Sequence, residues 1–427
     1  MYKKIERCRI CGNSNLTEVL NLGDQYLSSS FVKSNEDNEL AKIRIPLTVV
    51  LCDKKTRPSA CGLVQLKETV ERNLMYQNYF YRSAINPMMC AYLKDIVESI
   101  LKRIKMSPQD CVLDIGCNDG TMLTYFPNYT KRFGIDPAKN IDRSGLDKSI
   151  TVLTDYFSQK NALAASGDKL FKIISSIAMF YDLDDPNAFV QEIKSVLAPD
   201  GIWCIQLSYL PASIKTLNFY DVCHEHLEYY TLRVLNNLMQ HHGLYIFDAS
   251  LNEVNGGSLR VFVTNKENRK PVSQSFKKIL AEEDKMGLTE ISVYNDFRRK
   301  IDNLKKITVD LIKKEVENGG LVIGLGASTK GNVLLQFFGL DKNLIPYISE
   351  RNPEKVGLRT LGTDIELISE KKAMELRPSF MPVLIWFFKE ELVKREKEYL
   401  ARGGKLFFPM PYPHIVNKDG EQKIYTD

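Results

Sequence analysis

The segment Val112-Leu-Asp114-Ile-Gly116-Cys117-Asn118-Asp119-Gly120 constrains the fold more than any other. A buried β run leads into it and a helical stretch leads out. Its glycines therefore close a strand-to-helix turn where backbone can approach a ligand at the carboxyl edge of a sheet. Further β runs follow at 132–136, 149–153, 171–177 and 201–207, and 186–197 reads as a helix with Pro186 in its first turn. Strands alternating with helices dictate a mostly parallel sheet covered on both faces. A second alternating block has β runs at 321–324, 345–349, 383–386 and 405–409. Between the blocks a charged stretch, 273–318, holds no proline and reads as one long bridging helix. A chain of 427 residues exceeds one hydrophobic core. The expected divisions are 1–75, 76–250 and 251–427.

The formal charge of +5 is small for this length and implies neither a nucleic-acid nor a membrane partner. No apolar run approaches the roughly 20 residues of a membrane span. The charged opening, Met1-Tyr-Lys-Lys, does not read as a signal peptide. Nine cysteines in such a chain point to reduced thiols and a cytoplasmic setting.

Four regions carry chemistry. Cys8 and Cys11 form a two-residue-spaced pair, and Cys52 and Cys61 are available to complete a tetrahedral set. The alternatives are a structural zinc, which four thiolates would close completely, and free buried cysteines. In the glycine turn, Asp114 suits the amino-acid end of S-adenosylmethionine. Asp136, ending the next β run, suits the hydroxyls of a ribose. Cys223-His224-Glu225-His226 follows the fifth β run and places imidazole and carboxylate at the same sheet edge. Proton transfer, a metal site and a hydrogen-bonded structural pair are all compatible with it. His241 and His242 precede Gly243, as at a helix C-terminus. Finally, Gly324-Leu-Gly326-Ala327-Ser328-Thr329-Lys330-Gly331-Asn332 opens a helix in the second block, and Glu350 ends its next β run. Backbone amides and Lys330 there make a cradle for an anion, such as a nucleotide pyrophosphate, or a plain structural turn.

Taken in order, these motifs resemble the sugar C-methyltransferases of deoxysugar pathways over nearly the whole chain. The matching stretches are the four cysteines with Cys61-Gly-Leu-Val-Gln-Leu66, the tyrosine-rich Tyr76–Ser83, Gly116–Gly120, His224-Glu225-His226, Gly256-Gly-Ser-Leu-Arg260, Gly326–Asn332 and Arg402-Gly-Gly-Lys-Leu406. Cys223, Asn255 and Glu350 depart from the family pattern, which has tyrosine, often histidine, and aspartate there. The resemblance implies an α/β chain with a small N-terminal zinc-binding domain, a class I Rossmann-like methyltransferase domain and a second Rossmann-like C-terminal domain. It implies S-adenosylmethionine at Asp114, Gly116, Asn118, Asp119, Gly120 and Asp136, and structural zinc on Cys8, Cys11, Cys52 and Cys61. The implied substrate is a 4-keto sugar on a nucleoside diphosphate, contacted by Tyr81, Arg260, Ser328, Lys330, Asn332 and Glu350. His226 is then the base, Glu225 its orienter, His224 a hydrogen-bond donor to the keto or enolate oxygen, and Tyr79 the alternative base. An O- or N-methyltransferase on the same scaffold, or a nucleotide-binding protein without catalysis, are the competing readings.

Overall fold

The strand that carries Asp114 lies near the middle of a seven-stranded sheet in the computed structural model, which describes residues 1–427 apart from 37, 56–58, 78, 80 and 425–427. Its strands are β1 (Cys111–Ile115), β2 (Lys131–Ile135), β3 (Ile150–Leu153), β4 (Phe171–Ile177), β5 (Leu197–Ser208), β6 (Leu244–Asn252) and β7 (Ser258–Asn265). The spatial order is β3-β2-β1-β4-β5-β7-β6. β1 to β5 run parallel, and β7 lies antiparallel between β5 and β6. The central runs, rich in Ile, Val and Leu, are buried on both faces because helices cover both. The order reverses between β1 and β4, and that reversal opens a crevice beyond their carboxyl ends.

Local chemistry sets the helices. Asn86 caps Pro87–Leu101 by accepting from the Met88 amide at 3.0 Å. Asp185 caps Pro186–Val196 in the same way. The helix Leu232–His241 ends at His242 and Gly243, with φ +70° at the glycine, as the sequence led us to expect. The stretch 273–318 is two helices, not one. Gly287 adopts φ +61° and stops Gln274–Met286, and Ile291–Glu317 begins afresh. That second helix buries Tyr294, Phe297, Ile301, Leu304, Thr308 and Ile312 along one face, in a core shared by N- and C-terminal residues.

The opening seventy residues are rich in strand. Leu16–Gln25, Ile45–Cys52 and Val64–Leu66 form an antiparallel sheet whose fourth strand, Glu228–Tyr229, comes from just beyond His226. In the C-terminal block, Ile323–Leu325, Tyr347–Glu350 and Glu366–Ser369 run parallel. Bridges from Val322 to Phe380 and from Leu325 to Val383 continue the sheet into Phe380–Pro382 and Lys405–Phe408. The β run expected at 383–386 therefore lies earlier, because Trp386–Phe388 coil into the helix Lys389–Arg395. Phe31–Val32 from the N-terminal part pairs with Arg359–Thr360 at the far edge of this sheet. Residue 250 falls inside β6, so the methyltransferase sheet runs on through Asn265. Among the described residues no helix is long and apolar enough to cross a membrane.

Candidate active site

The four cysteines expected to hold zinc converge. The sulfurs of Cys8, Cys11, Cys52 and Cys61 lie within 4.8 Å of one another, with the Cys8–Cys61 and Cys11–Cys52 pairs at 3.5 Å. Four sulfurs about 2.3 Å from one tetrahedral zinc would stand about 3.8 Å apart, so the donor set fits that metal and leaves it no open position. Between the first two cysteines, Arg9 turns inward. It donates to the carbonyl of Leu66 at 2.6 Å and to Thr69 Oγ1 at 2.7 Å. Its Nε stands 3.6 Å from Glu228, with both side chains at most 2% exposed. The metal knuckle is thus clamped to the strand that follows His226.

At the carboxyl end of β1, Gly116 adopts φ +73° and Gly120 φ +80°; an added Cβ would sit 3.1 Å from Met179 at the first and 2.6 Å from Leu146 at the second. Only glycine fits this turn. Asp114 is buried and accepts from Ser175 Oγ at 2.6 Å. Burial pushes its carboxyl up to about 7, against the pull of Ser175. Asp136 ends β2. It accepts from the amides of Asn118 (2.9 Å) and Ala138 (3.0 Å) and pairs with Arg143 at 2.9 Å. Its Oδ2 takes one of these contacts only, which leaves lone-pair capacity for a ribose hydroxyl. These carboxylates and the open glycine backbone fit S-adenosylmethionine. Asn118 and Asp119 aim their side chains elsewhere: Asn118 Oδ1 accepts from Ser83 N (3.1 Å), and Asp119 Oδ2 from Ala84 N (2.8 Å). They tie down the tyrosine-rich segment, whose other end reaches the catalytic stretch through Tyr76 Oη donating to the Glu225 carbonyl at 3.2 Å.

His226 is held by the short turn that precedes it. Its Nδ1 lies 2.7 Å from the carbonyl of Asp221 and 3.3 Å from that residue's carboxylate. A carbonyl only accepts, so Nδ1 carries the proton and Nε2 keeps its lone pair. The Tyr181 ring, just past the end of β4, packs edge-on at 4.4 Å between centroids. Leu227 N donates to the Tyr181 carbonyl at 2.7 Å, fixing the stretch to that sheet edge. Burial would raise the Asp221 carboxyl, but Lys330, 2.7 Å away, and His226 hold it well below the usual carboxylate range. Lys330 comes from the C-terminal block.

Several expected roles change. His224 is fully buried and its Nε2 donates to the Ile45 carbonyl at 3.1 Å, so it has no hydrogen to offer an enolate oxygen. Desolvation also lowers its proton affinity, keeping it neutral. Asp221, not Glu225, orients His226; both carboxylate oxygens of Glu225 are buried without a hydrogen-bond partner among the described residues. Burial, with Asp182, Glu225 and Cys223 nearby, pushes the Tyr79 hydroxyl far up, which favours its neutral form. Arg260 is committed to Gln206 and Asp95, both at 2.9 Å, because it sits on β7 opposite Gln206. Tyr81 stays exposed. Ser328 caps the helix Thr329–Phe338, accepting from Gly331 N. Asn332 donates to the Ser28 carbonyl at 2.7 Å. Glu350 accepts from the amides of Ala327 (3.0 Å) and Asn352 (2.7 Å). This repeats how Asp136 spans two loops, and as with Asp136 Oδ2 each oxygen keeps lone-pair capacity for a ligand. Lys330, expected at a phosphate, is paired with Asp221.

Comparison with known proteins places this geometry. Three family profiles match consecutive stretches: a zinc binding domain at 8–76, a methyltransferase domain at 84–248 and a C-methyltransferase C-terminal domain at 253–411. The chain is an S-adenosylmethionine-dependent methyltransferase. More particularly, its C-terminal block matches a C-methyltransferase domain, its opening matches a zinc binding domain, and the whole chain is similar to the C-methyltransferase NovU of Streptomyces niveus. The two are 27% identical over 421 residues, covering 98% of this chain and 99% of NovU. An uncharacterized methyltransferase of Schizosaccharomyces pombe is 28% identical over 117 residues, 25% of this chain and 41% of that protein. Among solved structures, the plantazolicin methyltransferase BpumL with S-adenosylhomocysteine aligns at TM-score 0.34 and 15% identity, covering 42% of this chain and 86% of that one.

Proposed function

We propose that the enzyme methylates the carbon next to the ketone of a 4-keto deoxysugar carried on a nucleoside diphosphate, with His226 as the base. The observation that carries this reading is the tautomer of His226. Nδ1–H is spent on the Asp221 carbonyl, which leaves the Nε2 lone pair for a proton, and the stretch is tied just past the end of β4 through Leu227 N and the Tyr181 carbonyl. When bound at that turn, S-adenosylmethionine supplies an electrophilic methyl group. His226 Nε2 takes the proton from the carbon adjacent to the ketone. The C–H electron pair becomes the enolate double bond, the carbonyl oxygen takes the negative charge, and the enolate carbon is the nucleophile. Tyr79, held protonated by burial and neighbouring carboxylates, is a hydroxyl donor for an enolate oxygen, whereas the Tyr76 hydroxyl is already given to the Glu225 carbonyl. The unpartnered Glu225 carboxylate is an acceptor for a sugar hydroxyl. The choice of sugar rests on the sequence resemblance.

The test is product analysis. Incubation with S-adenosylmethionine and a panel of uridine- and thymidine-diphosphate-linked 4-keto-6-deoxyhexoses should yield a product heavier by one methylene, with the new methyl on a ring carbon beside the ketone. A methyl found on oxygen or nitrogen would overturn the reading.

A further inference from the structure

The proton-transfer histidine is held by residues from two different blocks of the fold. Asp221 ends the short turn Phe219–Asp221, which packs on the helix Thr329–Phe338. Phe219 stacks on Phe338 at 5.4 Å and contacts Phe337 at 5.7 Å, so the turn is anchored to that helix on its apolar side. On its polar side the anchor is Lys330, in the helix's first turn. Its Nζ lies 2.7 Å from Asp221 Oδ1, 3.4 Å from the Asn255 carbonyl and 5.6 Å from the Phe387 ring. Asp221 and Lys330 are both largely shielded from water, at 3% and 14% side-chain exposure, so their contact is little screened.

Resting on the base assignment above, we infer that Lys330 and Asp221 are positioning residues for His226: the C-terminal block completes the catalytic centre by fixing the carboxylate that orients and tunes the base. The Asp221 backbone carbonyl accepts from Nδ1–H, and the Asp221 carboxylate, 3.3 Å from Nδ1, stabilises the imidazolium formed when Nε2 takes a proton. Lys330 holds Asp221 ionised and in place while opposing part of its negative charge. The two act on the imidazolium with opposite signs. Lys330 is at most about 6 Å from His226 Nδ1 through the shared oxygen, and charges at that range shift a proton equilibrium by about half a pH unit or more. The other ionisable groups around His226 are Tyr181 and Asp182 from the turn after β4, Cys223 and Glu225 of its own stretch, Glu228 and Tyr229 of the following strand, and Tyr76 and Tyr79. None of these touches both Lys330 and Asp221 in the contacts described.

The experiment reads His226 directly, by NMR titration of histidine rings labelled at carbon in the full-length protein. The chain has five histidines, and His226→Asn assigns the signal. Lys330→Met should move the His226 titration to higher pH, Asp221→Asn should move it to lower pH, and Lys330→Arg should restore the wild-type position. With any 4-keto sugar nucleotide that turns over, the acid limb of kcat/KM should move in the same opposite directions. Lys330→Met should lower kcat and leave the sugar KM within about twofold. Calorimetric binding of S-adenosylhomocysteine confirms that each variant is folded, and Asp221→Asn supplies the measurement if Lys330→Met is not. Unmoved titrations, or shifts of the same sign, overturn the inference, as does a Lys330→Met effect confined to the sugar KM. Normal methylation by His226→Asn would instead overturn the base assignment, whatever the titrations show.

Discussion

Replacing Arg9 with Met removes the one cation among the described residues that pairs with Glu228, and the structure supplies the size of the effect. Both side chains are at most 2% exposed, and burial already raises the Glu228 carboxyl well above its ordinary value, with Arg9 pulling it down. Breaking a buried pair by deleting one partner costs about 3–5 kcal/mol when the remaining charge stays ionised. Two further hydrogen bonds, to Leu66 O and Thr69 Oγ1, are lost as well. A carboxyl raised in the folded state contributes stability that is present at low pH. That stability is lost as pH rises from the unfolded value, near 4.5, to the folded one. Without Arg9 the folded value rises further, so the penalty of Arg9→Met grows with pH, by at most about 1.4 kcal/mol per unit. The urea midpoint of the variant should fall below wild type by more at pH 8 than at pH 6. The double variant Arg9→Met/Glu228→Gln should recover much of the loss at pH 8. A penalty equal at both pH values and unrelieved by Glu228→Gln would refute the reasoning.

Metal analysis should find about one zinc per chain, and stripping it with a strong chelator should lower the unfolding midpoint of the whole protein, since structural zinc binding is folding free energy; a metal-free chain of unchanged stability would contradict the four-sulfur site. Asp114 titrates near 7 in the free enzyme, so calorimetric affinity for the cationic donor should fall as pH drops from 8 to 6. Asp114→Asn should flatten that dependence, and an undiminished pH dependence would remove Asp114 from the donor site. Asp136→Ala should weaken donor binding by about 1.5–3 kcal/mol, the worth of a hydrogen bond to a charged group, with equal affinity as the contrary result.

What could be read in the sequence was what neighbours in the chain decide. The glycine turns, the caps at Asn86 and Asp185, the histidines before Gly243 and the acid-tipped strands all follow from local rules. The four cysteines were also legible, because thiolate chemistry narrows their uses. Contacts set by tertiary packing were hidden. Asp221 stands only five residues before His226, yet nothing local distinguishes it from Glu225, which is adjacent and whose carboxylate has no hydrogen-bond partner among the described residues. The partner of Lys330 is more than a hundred residues away, so a lysine in a glycine-rich helix start read as a phosphate contact. The loop contacts of Asn332 and Glu350 were hidden for the same reason: polar groups that brace loops have the composition of polar groups that bind ligands. The edge strand Glu228–Tyr229 is two residues long and exists only because Val64–Leu66 lies beside it. Gly287 was overlooked because one glycine in a long polar stretch is a weak signal until its left-handed backbone is seen.

The central claim is that His226 removes a proton from carbon before the methyl moves. Enzyme supplied with S-adenosylhomocysteine and the 4-keto sugar nucleotide that it methylates cannot transfer methyl, but its base can still act. In heavy water the hydrogen beside the ketone should exchange, followed by proton NMR of the sugar. His226→Asn should suppress both this exchange and methylation by about 100-fold or more, the scale of a general-base contribution, while donor affinity stays unchanged. A His226→Asn enzyme that methylates at the wild-type rate would contradict the claim.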